Sequence, residues 1–302
     1  MSVRLLHDPD WPRASAWLAG QQAGNGLAVL GAPLRLGSIT PGRCDLAPQA
    51  IRDALARFSS YDVAADADLR KLNARDLGDL DLSGASPEAA FAPVAAGVRD
   101  ALSNARALVL LGGDNSITRP GVHGLGVPLD RAALLTLDAH LDLRTLDGGL
   151  TNGNPVRALL ADGLPGANIT QIGIQSFANS KAYMGVARDN GINVVTADFV
   201  HEHGAAVAVA NALRHLSDHA DAIYVDLDLD VLDRTFAPAT PGSRPGGLAP
   251  WQIRQAAHLC GQHPKVRVLD LVEIDPTADI NGATVLAAAA CLLSFASGLL
   301  LQ

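Results

Sequence analysis

Short, continuous apolar runs alternate with longer stretches of helical periodicity along the whole chain, and no linker-like segment interrupts them. The runs at 26–31, 107–111, 132–137, 169–174, 192–196, 222–229 and 266–272 predict strands. Runs that lack polar alternation suit parallel strands covered on both faces. Between them, 48–58, 87–103, 180–190, 205–216 and 250–260 read as helices, several opened by Ser or Pro as a first helical turn favours. This alternation predicts one α/β domain over residues 1–302, a three-layer sandwich with a mainly parallel sheet flanked by helices.

Four of the apolar runs end on polar clusters: Gly112-Gly113-Asp114-Asn115, Asp138-Ala139-His140-Leu141-Asp142, Asp226-Leu227-Asp228-Leu229-Asp230 with Asp233 after it, and Glu273-Ile274-Asp275-Pro276. Ligand sites of open parallel sheets lie beyond the carboxyl ends of the strands, so one site can collect all four. If the backbone stays extended there, its period of two turns Asp138, His140 and Asp142 to one side, and Asp226, Asp228 and Asp230 likewise. Carboxylates crowded at the end of a buried sheet raise one another's pKa and lose hydration unless cations neutralise them. An oxygen-rich set with an imidazole suits Mn²⁺ better than a thiolate metal, and bridging carboxylates could hold two ions ~3.5–4 Å apart. A water between such ions ionises near neutral pH, and the chemistry this predicts is hydrolysis.

Composition narrows the partners. The chain of 302 residues carries 23 basic and 31 acidic side chains, net −8, so its field repels polyphosphates and anionic lipid and disfavours nucleic-acid binding. Glu occurs only at 88, 202 and 273, which makes Glu273 at a strand end notable. Cys44, Cys260 and Cys291 form no close pair, and a reducing cytoplasm is the expected compartment. Residues 1–13 mix charge and Pro without an apolar run, so no signal peptide is expected. Residues 283–301 are uncharged over the length of a membrane span. Their Ala content, with Thr284, Ser294, Ser297 and Gly298 and no basic flank, predicts a packed internal helix instead. His201-Glu202-His203 looks like a chelate, but it falls near a helix start, where cap or solvent roles are expected.

From about Gly31 to Ala290 the chain resembles the ureohydrolase (arginase, agmatinase and formimidoylglutamase) family. The resemblance is carried by Ser38-Ile39-Thr40-Pro41-Gly42-Arg43, Pro48-Gln49-Ala50-Ile51-Arg52, Asp76-Leu77-Gly78-Asp79, Gly112-Gly113-Asp114-Asn115, Asp138-Ala139-His140-Leu141-Asp142, Asp228-Leu229-Asp230 with Asp233, and Val272-Glu273-Ile274-Asp275-Pro276. It implies that Asp138 and Asp228 bridge two Mn²⁺ ions, that His140 and Asp230 hold one of them and Asp142 the other, and that Asp226 is a neighbour. Glu273 would face the amidinium or guanidinium of a small-molecule substrate. Two positions depart from the family pattern. Asn115 stands where a His ligates the first metal, and its amide oxygen would bind Mn²⁺ more weakly. Asn152, in Asn152-Gly153-Asn154-Pro155, replaces a His that works beside the substrate.

Formimidoylglutamases also lack that second His. Asp142-Leu143-Arg144, Gly173-Ile174-Gln175 and Ala178-Asn179-Ser180 are similar to their D-L-R, G-I-Q and S-N-T stretches. The resemblance thus implies hydrolysis of N-formimidoyl-L-glutamate to L-glutamate and formamide, a step of histidine degradation, in trimers or hexamers. Asp142 would pass a proton to the leaving nitrogen, and Arg144, Asn154 and Arg157, with Asn152, are the candidates to meet the substrate. A guanidino-compound hydrolase such as an agmatinase, and a non-catalytic relative serving as a binding or assembly subunit, are the alternatives.

Overall fold

The computed structural model describes residues 8–20 and 25–302; the start of the segment read for a leader, residues 1–7, lies outside them. Eight strands form the central sheet: β1 (Leu27–Ala32), β4 (Ala74–Asp79), β5 (Ala107–Gly112), β6 (Ala132–Leu137), β7 (Ile169–Ile174), β8 (Asn193–Thr196), β9 (Ala222–Asp228) and β10 (Val266–Val272). A hairpin of β2 (Tyr61–Asp62) and β3 (Ala67–Asp68) stands apart. The sheet order is β4-β1-β5-β10-β9-β6-β7-β8, and every neighbouring pair runs parallel. The predicted α/β sandwich is therefore the observed one.

The five strands β1, β5, β6, β7 and β9 are buried at every residue, as their mainly apolar runs without polar alternation suit. The two edges differ. Strand β4 escaped the apolar reading because its sequence, Ala-Arg-Asp-Leu-Gly-Asp, is that of a solvated edge, and Arg52 ties Asp76 and Asp79 at 2.8 and 2.6 Å. A charged, paired edge resists adding a further strand.

Helices Ala47–Ala54, Ala205–Ser217, Pro250–Gln262 and Ala283–Leu300 cover one face of the sheet, and Pro87–Ser103, Thr118–His123, Pro155–Asp162 and Lys181–Asp189 the other. The short helices Thr118–His123, Pro155–Asp162 and Ala197–His203 were not expected from periodicity, and the stretch 48–58 breaks into a helix and a 3-10 turn, Leu55–Arg57. The uncharged helix Ala283–Leu300 is 78% buried within the protein. It crosses Pro250–Gln262 at two glycines: a Cβ on Gly261 would lie 2.1 Å from the Phe295 carbonyl oxygen, and one on Gly298 2.1 Å from that of His258. Small residues here allow backbone-to-backbone contact, which explains the composition without a membrane. On Ala197–His203, His201 Nε2 lies by the Gly246 carbonyl and His203 stacks on Phe199, so the two rings form no chelate.

Candidate metal centre

Strand ends deliver the acids to one place, but not by the extended alternation expected from sequence. Strand β6 stops at Leu137, and 138–142 turns: the His140 amide donates to Asp138 Oδ1 at 2.6 Å, and Asp142 adopts a left-handed φ of 51°. Polar side chains from β7 and from the connection after it hold this turn. Asn179 accepts from the Leu141 amide at 2.8 Å and donates to the Ala139 carbonyl at 2.9 Å, while Gln171 donates to the Leu141 carbonyl at 3.1 Å. Likewise β9 ends at Asp228, and Asp230 sits in a 3-10 turn whose amide donates to Asp228 Oδ1 at 2.7 Å. Glu273 follows β10 with φ 65°, a second left-handed non-glycine residue at the site, where such strain concentrates.

The acids that converge are Asp138, Asp142, Asp226, Asp228, Asp230 and Glu273, all buried. His140 is their only cationic partner among the described residues, with Nδ1 2.9 Å from Asp230 Oδ2 and 3.4 Å from Asp138 Oδ1. Burial pushes Asp138 up to about 7, and the charge of Asp230 adds to it. Asp142, Asp226 and Asp228 are raised well above the carboxylate range by burial, reinforced by Asp138, Asp270 and Asp230 respectively. Burial alone would lower His140, yet Asp230 and Asp138 lift it to about 11. Burial would likewise raise Asp230, but the His140 charge prevails and lowers it.

Both oxygens of Asp226 are buried with no hydrogen-bond partner. Buried anions in this surplus demand a compensating cation. Asp138, His140 and Asp230 bring one ligand atom each within 4.8 Å of one another, and the oxygen-rich donor set fits a hard divalent ion.

A cavity of about 440 Å³ opens over this cluster, lined by His140, Asp142, Asp228, Asp230 and Glu273 together with Arg144 and Asn152. Glu273 Oε1 accepts from the Asn115 amide at 2.7 Å and from Asn152 Nδ2 at 3.0 Å. Burial pushes Glu273 up to about 8, with Asp114 adding to the shift. Asn115 lies beneath, its Nδ2 donating to Asp142 Oδ2 at 2.6 Å.

Asn154 is not on the cavity wall. Its amide is spent inside its own loop, accepting from Thr151 and donating to the carbonyls of Thr145 and Gly149, so its expected role at the substrate is corrected to a loop fastener. Arg157 also lies off the cavity. Asp114 and Asp275 follow strands too, yet they serve the scaffold: they accept from the amides of Gly37 and Arg43 at 2.9 and 3.0 Å.

Sequence reasoning missed Arg244 and Tyr183, which line the cavity from distant segments. It also missed Thr118 and Asp270 behind it. An Asp inside the apolar run of β10 was the available signal, since a buried carboxylate must have partners.

The family model described as the arginase family matches residues 25–297. The chain is 36% identical over 278 residues to formimidoylglutamase of Halalkalibacterium halodurans, covering 91% of this chain and 87% of the relative. It superposes on the crystal structure of formimidoylglutamase from Bacillus subtilis with a TM-score of 0.91 at 32% identity, covering 99% and 95% of the two chains. Formiminoglutamase of Trypanosoma cruzi, solved with Mn²⁺, shares the fold at 22% identity and a TM-score of 0.86, over 96% and 99% of the chains. The chain belongs to the arginase family.

Proposed function

We propose that this arginase-family hydrolase is a Mn²⁺-dependent formimidoylglutamase, converting N-formimidoyl-L-glutamate and water to L-glutamate and formamide. The names and coverage of its relatives support that reading. The observation that carries it is the state of Glu273: Oε1 is engaged by Asn115 and Asn152, and Oε2 has no partner among the described residues in the cavity that Glu273 lines. A fixed carboxylate with one free oxygen suits a cationic amidine. Arg144 and Arg244 line the same cavity, and neither forms an ion pair among the described residues, which leaves both guanidiniums for the two carboxylates of the substrate.

Divalent ions held by Asp138, His140, Asp142, Asp228 and Asp230 would supply hydroxide at neutral pH. Glu273 orients the formimidoyl group and Asn152 holds Glu273 in place. Hydroxide so supplied would add to the formimidoyl carbon; as the added oxygen gave up its proton and became the formamide carbonyl, the bond to the glutamate nitrogen would break and that nitrogen would take a proton. Asp142, in the wall of the same cavity, is the carboxyl placed to pass that proton on.

The test is product identity. With Mn²⁺ and N-formimidoyl-L-glutamate the protein should release formamide and L-glutamate in equal amounts. Agmatine and guanidino acids should be turned over at least about 100-fold less efficiently, because their carbon carries an extra amino group and they lack the paired carboxylates. Urea from a guanidino compound as the main product, or no turnover of any amidine, overturns the reading.

A further inference from the structure

Thr118 opens a short helix directly behind the cluster and is fully buried. Its hydroxyl lies 2.7 Å from Asn115 Oδ1 and 3.1 Å from Asp270 Oδ2. A hydroxyl has one proton to give, and both neighbours are acceptors. Asp270 is otherwise supplied: its Oδ2 takes the Tyr224 hydroxyl at 2.6 Å and its Oδ1 the Leu227 amide at 3.1 Å. With Asn115 Nδ2 turned to Asp142, one of the two Thr118 contacts therefore sets acceptor against acceptor in a buried position, which is costly.

Turning the amide over removes the conflict. Asn115 Nδ2 then donates to Thr118 Oγ1, Thr118 donates to Asp270 Oδ2, and each group from Asn115 to Tyr224 has its partner. The exchange brings Asn115 Oδ1 against Asp142 Oδ2, at the position where the nitrogen now stands 2.6 Å away. Two oxygens so close attract only across a shared cation or a shared proton, and the surplus of buried acids around Asp142 calls for the cation. We propose that Asn115 contributes its amide oxygen to the cation centre by turning over, and that Thr118 and Asp270 are positioning residues that hold it in that orientation. The proposal rests on the metal centre above and not on the identity of the substrate.

Mn²⁺ titrations followed by the electron paramagnetic resonance of free Mn²⁺ test it without reference to activity. They are run at pH 8, above the value of about 6 to which burial pushes Asp270. Thr118→Ser keeps the hydroxyl and should bind as the unaltered protein does. Thr118→Val removes the acceptor for the turned amide and should raise the dissociation constant about tenfold, the size of one lost buried hydrogen bond.

Asp270→Asn supplies a donor to Thr118, which returns the hydroxyl proton to Asn115 Oδ1. It should weaken binding by a similar factor, and it carries the test if the valine variant fails to fold. Melting in chelator measures damage to the fold separately, and affinities are compared per folded molecule. Wild-type affinity in both Thr118→Val and Asp270→Asn overturns the proposal and leaves the metal centre standing. An unaltered protein that binds no Mn²⁺ overturns both.

Discussion

Strand β10 carries two opposite kinds of charge at its two ends. At its amino end, Lys265 Nζ donates to the carbonyls of Ser217 and Ala220 at 2.7 and 2.9 Å, capping helix Ala205–Ser217. Arg267 Nε donates to the Arg106 carbonyl at 2.8 Å, and Arg106 Nη2 to that of Leu299 at 2.7 Å, near the end of helix Ala283–Leu300. These cations meet the negative ends of helices, where they are favourable. At the carboxyl end, Asp270 and Glu273 join a cluster whose acids outnumber His140, their only ion-pair partner among the described residues. One end is satisfied by the chain itself; the other needs something from outside. Stability and reactivity are thus separated along the strands.

That contrast can be broken most sharply at the acidic end. Asp228→Asn should lower kcat/KM on the order of 10³-fold or more and weaken Mn²⁺ binding, because both the site's charge and a ligand change. Retained Mn²⁺ binding with ordinary turnover would mean that the cluster is not the centre of the chemistry. At the amino end, Lys265→Met should cost about 1–2 kcal/mol in urea unfolding, with turnover per folded molecule unchanged. A loss of activity there would show that the ends are coupled. The smallest effect is expected from Asp226→Asn. Relieving a buried carboxylate without partners should stabilise the protein by about 1 kcal/mol in the presence of chelator, read as a higher melting temperature. Destabilisation would place Asp226 among the satisfied groups.

The sheet was legible wherever burial on both faces produced an uninterrupted apolar run, as at 107–111, or one broken only by the site acids, as at 222–229. Strand β4 was not, because an edge with one solvated side needs no such run. At the site, the residue types and spacing of Asp138, His140, Asp142, Asp228, Asp230 and Glu273 were enough to bring them together in expectation. The turn that does so was invisible, because it depends on Gln171 in β7 and on Asn179 in the connection after it. Asn154 was misread for the mirror-image reason: its place after the metal motif in sequence suggested a role at the substrate, while its hydrogen bonds fold back into residues 145–151. Contacts between segments far apart in sequence leave no local pattern to read.

The position of β10 between β5 and β9 has a consequence for how the molecule is born. Without it, the native pairings of the strands that precede it fall into two separate sets, β4-β1-β5 and β9-β6-β7-β8. Asn115 then belongs to one half and Asp138, His140 and Asp228 to the other, so a nascent polypeptide arrested before residue 266 holds its acids without the seam that aligns them. The strand that joins the two sets is also the one that carries Glu273 to the cluster, so a product truncated before it should lack the reactive assembly.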